Sequence, residues 1–147
     1  MSEALQLDPF YQAMGGRFTS VMSWNDLSPF WDTLRKLAGA GWYIYAVGET
    51  PPASTSTAEQ IEIFIREIDI LLRKDHKEDY CGIVYADNKE SPTFIKIFDP
   101  NNLGVSCGFS DNPPPPGWIL SLIPPRAVEN NPMLPRNRRT WWQKLWD

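Results

Sequence analysis

The stretch from residue 80 to residue 123 most constrains the fold. Four short runs of strand-forming residues, at 80–86, 93–98, 105–109 and 118–123, follow one another with only brief connections between them. Val, Ile, Tyr, Phe and Trp dominate these runs, and β-branched and aromatic side chains suit a pleated, half-buried surface. Residues 87–92 and 99–104 join the first three runs through Asp, Asn, Ser, Pro and Gly, which start turns or accept positive φ. Neither connection can hold the helix that a parallel crossover needs, so the expected topology is an antiparallel meander. The proline run at 113–116 forms a stiff extended link into the last strand, which Pro124-Pro125 ends.

Upstream, the period changes. Leu27, Phe30, Trp31, Leu34, Leu37 and Ala38 fall on one side of a helix. Its start lies between the capping patterns at Ser23 and at Ser28-Pro29, and Gly39 and Gly41 supply its stop. The run Trp42-Tyr43-Ile44-Tyr45-Ala46-Val47 is short, aromatic and β-branched, as a central strand would be. A second helix opens at Ser56, with Glu59 completing a capping-box pattern, and reaches about Lys74. At 100° per residue its Ile61, Phe64, Ile65, Ile68, Leu71 and Leu72 share one broad side, while Ile63 and Ile70 lie almost opposite. Burial on both sides is the plainer account of this; an Ile63/Ile70 strip for a partner is the functional one. Residues up to 22 carry mixed signals broken by Gly15-Gly16 and receive no assignment.

Helix, strand, helix and then a run of strands describes an α+β fold. We expect a mostly antiparallel sheet of about four to five strands, two main helices packed on one face, and a Pro-rich C-terminal extension. In domain terms, residues 1–125 form a single α+β domain and residues 126–147 a basic, Trp-rich tail. Charge divides at the same place: residues 1–125 hold 9 Lys and Arg against 16 Asp and Glu, whereas 126–147 hold 5 against 2. An acidic body disfavours nucleic acid as a partner, because phosphates require a basic surface. Membrane insertion is disfavoured too, since no apolar run approaches the roughly 20 residues of a spanning helix. The opening Met1-Ser2-Glu3 shows no secretory pattern, and the sequence has only two cysteines, Cys81 and Cys107, so a cytoplasmic location is expected. Neither cysteine has metal-type spacing to the other or to His76, and no metal or cofactor is expected.

The tail carries the strongest functional signal, with three of the seven tryptophans among its last seven residues. As a helix from Thr140, it pairs Trp141 with Leu145 and Trp142 with Trp146 at i,i+4, with Arg138 and Arg139 just before them. So short a segment must gain its order by docking. The candidate surfaces are its own acidic body, another protein or a sister subunit in a homo-oligomer, and a membrane surface or nucleic acid. Trp and Arg dominate many interface energies. The leading expectation is therefore a non-enzymatic protein-protein interaction module, an adaptor or assembly factor, anchored through Arg138, Arg139, Trp141, Trp142, Leu145 and Trp146, with Ile63 and Ile70 as a second contact strip.

A different class of function would use residues 48–57. This loop joins the end of a strand to the start of a helix, and Ser54, Thr55, Ser56 and Thr57 with the helix amides could hold an anion or small molecule beside Tyr43 and Tyr45. It lacks Lys, Arg and a Walker pattern, so capping and turn formation already account for its residues. His76 reads as a surface residue beyond the second helix, and Asp87, Glu90, Asp99 and Asp111 read as turn formers.

Overall fold

Three helices begin at a side chain that accepts a hydrogen bond from an otherwise unpaired first-turn amide. Asp8 accepts from Phe10 at α1 (Pro9–Met14), Ser23 from Asn25 at α2 (Trp24–Lys36), and Thr57 from Gln60 at α3 (Ala58–Asp75). The computed structural model describes residues 8–101, 115–128 and 136–147. At α3 the capping box is Thr57 with Gln60, one residue later than the Ser56/Glu59 pattern. The Ser56 N–H donates to the Trp42 carbonyl at 2.7 Å, which holds Ser56 to the neighbouring strand segment and delays the helix. In α2 the first capping pattern prevails and Pro29 lies inside the helix. Pro29 has no N–H to donate to the Asn25 carbonyl one turn earlier. A 3₁₀ turn at Ala38–Ala40 and a left-handed Gly41 (φ 98°) then redirect the chain.

The sheet contains β1 (Thr19–Val21), β2 (Tyr43–Ala46), β3 (Val84–Ala86), β4 (Phe94–Ile97) and β5 (Trp118–Ser121) in the order β1-β3-β4-β5-β2. Every neighbouring pair is antiparallel. The run at 80–86 is strand only from Val84, because left-handed Gly82 (φ 66°) interrupts its regular alternation. The expected strand at 105–109, with Cys107, and the acid Asp111 lie outside the described residues. α1 and β1 arise in the N-terminal part that periodicity left unassigned.

Side-chain alternation divides the interior in two. Ile44, Ala46, Ile95, Ile97, Trp118 and Leu120 face α2 and α3, where Leu27, Trp31 and Leu34 meet Ile61, Phe64, Ile65 and Ile68. On the other face, Tyr45, Phe94 and Ile119 pack with Phe10 of α1 and with half-buried Tyr11, Met14 and Phe18. The two main helices thus share one face, and α1 covers the other. Lys96 projects to the α1 side, where its ammonium donates to the Met14 carbonyl at 2.6 Å and stands 3.9 Å from the centre of the Phe18 ring. Burial holds its pKa below the ordinary lysine value. Segment 122–128 reaches this side as well: the Tyr11 hydroxyl donates to the Ala127 carbonyl at 2.6 Å and Arg126 pairs with Asp8 at 2.8 Å.

Candidate functional site

The tail is helical from Arg136 to Leu145 (α4), one turn earlier than the Trp spacing alone requires, and it docks on the body of the same chain. Arg138 fixes its start. The guanidinium sends Nε to Asp99 Oδ2 and Nη2 to Asp99 Oδ1, both at 2.9 Å, and Nη2 also reaches Asp75 Oδ2 at 2.9 Å. The Arg138 and Asp99 side chains are 5% and 3% exposed, so this two-pronged pair lies almost wholly out of water. Burial by itself would lower the Arg138 pKa, but the hydrogen bonds and charges of Asp99 and Asp75 outweigh it and hold the group above its ordinary value.

Asp99 is therefore more than a turn former. Besides accepting from the Asn101 N–H, it neutralises a buried cation supplied by α4, and Gly117 leaves it room. A Cβ at Gly117 would lie 3.2 Å from the Asp99 Cβ. No local pattern near residue 99 announces this partnership, because Arg138 is remote in sequence.

Beyond Arg138 the tryptophans turn inward. Trp141 meets Trp118 of β5 edge-on at 5.5 Å and Phe64 of α3 at 6.5 Å, while Trp142 meets Phe64 at 6.4 Å and Trp146 at 5.3 Å. Leu145 and Trp146 complete the half-buried set on the core, and Arg139 is exposed. Since Arg138 meets Asp75 at the end of α3 and Trp141 and Trp142 meet Phe64 nearer its beginning, the two helices run antiparallel.

Between them lies a groove of ≈ 350 Å³. Glu67, Ile70, Leu71 and Lys74 form the α3 wall, Asn137 and Trp141 the α4 wall, and the Arg138–Asp75 pair closes one end. Ile70 is 54% exposed, against the plainer expectation of burial on both sides of α3, whereas Ile63 is half-buried. The angular separation of Ile70 from the main apolar face was the sequence signal for this. The groove thus brings together Ile70, Trp141 and Arg138, while Arg139 stands outside it.

Other candidate residues are engaged elsewhere. Tyr45 is fully buried among the α1-side residues, with its hydroxyl accepting from the Val128 N–H at 3.4 Å, and burial raises its pKa. Tyr43 is half-buried in β2. Ser54 and Thr55 are exposed, whereas the Ser56 amide is held by Trp42 and the Thr57 hydroxyl by Gln60. Cys81 is a free, fully buried thiol whose pKa burial raises, an environment that disfavours the thiolate.

His76 is 8% exposed rather than a surface residue. Its Nε2 lies 2.9 Å from the Cys81 carbonyl and must carry a proton to donate there, while the ring sits edge-on to Trp24 and Tyr80. These contacts draw the ring under the start of α2, which the local sequence around His76 does not reveal. It lines a second cleft of ≈ 390 Å³ with Trp24, Arg73, Lys77 and Glu78. Arg73 is already committed to Asp69, Ser28 and the Trp24 carbonyl. Among the described residues, no group of three or more His, Cys, Asp or Glu is arranged to hold a metal, and no helix is long and apolar enough to cross a membrane.

No protein-family model matches the chain, and neither a curated protein nor a solved structure is significantly similar to it.

Proposed function

We propose that the protein is a non-enzymatic interaction module, an adaptor or assembly factor, whose contact surface is the groove between α3 and α4. One observation carries this reading: Ile70, a large apolar side chain 54% exposed, stands beside a groove whose opposite wall includes Trp141. Apolar side chains beside an aromatic in a concave surface are common anchoring points for partners. The Trp/Arg tail contributes by building one wall of the groove, with Arg138 and the inward tryptophans fixing α4. The partner is another protein or a sister subunit, and the setting is the cytoplasm, in keeping with the free thiol of Cys81.

Affinity capture with the full chain and with Ile70→Asp tests the proposal, with melting curves showing both to be folded. We expect at least one partner to be retained by the parent chain and lost from the variant. Identical capture by the two chains, or capture of nothing by either, would reject the groove as the contact surface.

A further inference from the structure

We propose that the α3–α4 groove is a self-association surface, on which a second copy of this chain packs its own α3 antiparallel. This rests on the interaction reading above and names the partner. At 100° per residue, Ile70, Lys74 and Glu67 succeed one another across about 60° of α3, on its edge toward α4, and all three line the groove. Ile70 and Lys74 are exposed, and Glu67 is half-buried. The charges around them are engaged within the chain. Arg138 and the carboxylates of Asp75 and Asp99 bond one another at one end of the groove. On the edge toward α2, Arg35 holds Glu62 and Asp69 holds Arg73, while the Arg66 side chain is 57% exposed. Among the described residues Lys74 enters no ion pair, and Glu67 meets only its sequence neighbour Arg66, at 3.6 Å.

Glu67 lies three residues before Ile70 and Lys74 four after it, and this spacing makes the strip self-complementary. A two-fold axis that sets Ile70 on Ile70 of the second copy, with the helices antiparallel, brings Glu67 level with the second copy's Lys74 and Lys74 level with its Glu67. The same axis keeps the two α4-side edges together, so the paired charges share one flank of the contact. An isologous interface needs this reciprocity, because a residue that meets another across the axis is met by it in return. One acid and one base on the strip give no preference for a partner of a single sign, whereas a second copy answers each with its opposite. The recess beside Ile70 and Trp141 then takes the second copy's Ile70, which removes from water the large apolar side chain that α3 exposes.

Sedimentation equilibrium of the full chain over a range of concentrations is the test, with melting curves showing every variant to be folded. Expected is a reversible monomer–dimer equilibrium, since one helix per copy makes a contact at the small end of specific interfaces. Ile70→Asp should leave a monomer. Glu67→Lys and Lys74→Glu should each weaken the dimer roughly tenfold by opposing like charges, and the two changes in one chain should restore it. An equimolar mixture of the two single variants should associate more tightly than either does alone. A dimer that survives Ile70→Asp would overturn the inference, and so would one that the paired charge reversal fails to restore. A parent chain that stays monomeric at every concentration would overturn it as well. Such a monomer that still captures a different protein through Ile70 would keep the interaction reading and reject only the second copy as its partner.

Discussion

Arg138 and Arg126 each join a C-terminal segment to an aspartate distant in the sequence, Arg138 to Asp99 and Arg126 to Asp8. Their settings are opposite. Arg138 is buried with its partner, makes two parallel hydrogen bonds to one carboxylate and a third to Asp75, and lies on the α3 side of the sheet. Arg126 is 63% exposed, makes a single ion pair among the described residues, through Nε, and lies on the α1 side. A buried charge deprived of its partner cannot fall back on water, whereas an exposed one can. Similar distances therefore carry different energies: the first contact holds a helix in place, and the second trims a surface that aromatic packing already holds.

The sharpest break in this comparison comes from Arg138→Ala, which leaves Asp99 buried without its cation and should cost about 3–5 kcal/mol. For a chain of this size that corresponds to a melting temperature lower by roughly 10 °C, readable by calorimetry or circular dichroism. Next comes Trp141→Ala, which removes contacts to Trp118 and Phe64 while keeping the ion pair. A loss of about 2 kcal/mol in urea unfolding is expected for a half-buried aromatic, and a loss as large as that of Arg138→Ala would show that packing, not the charge pair, fixes α4. Gly117→Ala acts on the same pair indirectly by crowding the Asp99 Cβ, and a loss of about 1–3 kcal/mol is expected from such overpacking.

Arg126→Ala stands at the small end, with only a slight fall in melting temperature expected at neutral pH. That difference should vanish in acid. The Arg126 hydrogen bond, helped by the Phe10 amide, holds the Asp8 carboxyl below its ordinary value of 3.8. Because the folded-state pKa is depressed, the contribution is present above the unfolded value and is lost as pH falls through the lower folded value. Amide exchange at Phe10 should accelerate in that acid window in the parent chain, and at a higher pH in Arg126→Ala. Coincident profiles would show that Arg126 does not tune Asp8.

Much of this architecture is legible in the sequence because it depends on local periodicity. The stripe from Leu27 to Leu34 and the one from Ile61 to Leu72 identify the faces that pack on the sheet, and the turn residues at 87–92 mark the β3–β4 hairpin. Boundaries were less legible, since they turn on tertiary bonds such as that from Ser56 to Trp42. α1 is not legible in the sequence because six residues with one fully buried side chain hardly establish a period. For the candidate site, the angle of Ile70 on α3 and the clustering of tryptophans were both visible. The Asp99 clamp and the burial of His76 were not, because each depends on segments the fold alone brings together.

The position of β2 at one end of the sheet has a consequence in time. Its one strand neighbour in the described sheet is β5, made long after it, with α3, β3 and β4 intervening in the chain. A nascent chain therefore carries Tyr43–Ala46 unpaired through most of its synthesis. The β3–β4 hairpin can close early, but the sheet gains this edge only when residues near Trp118 emerge. Such closure over a long loop is slow compared with helix or hairpin formation, so β2 pairing should be among the late events of folding.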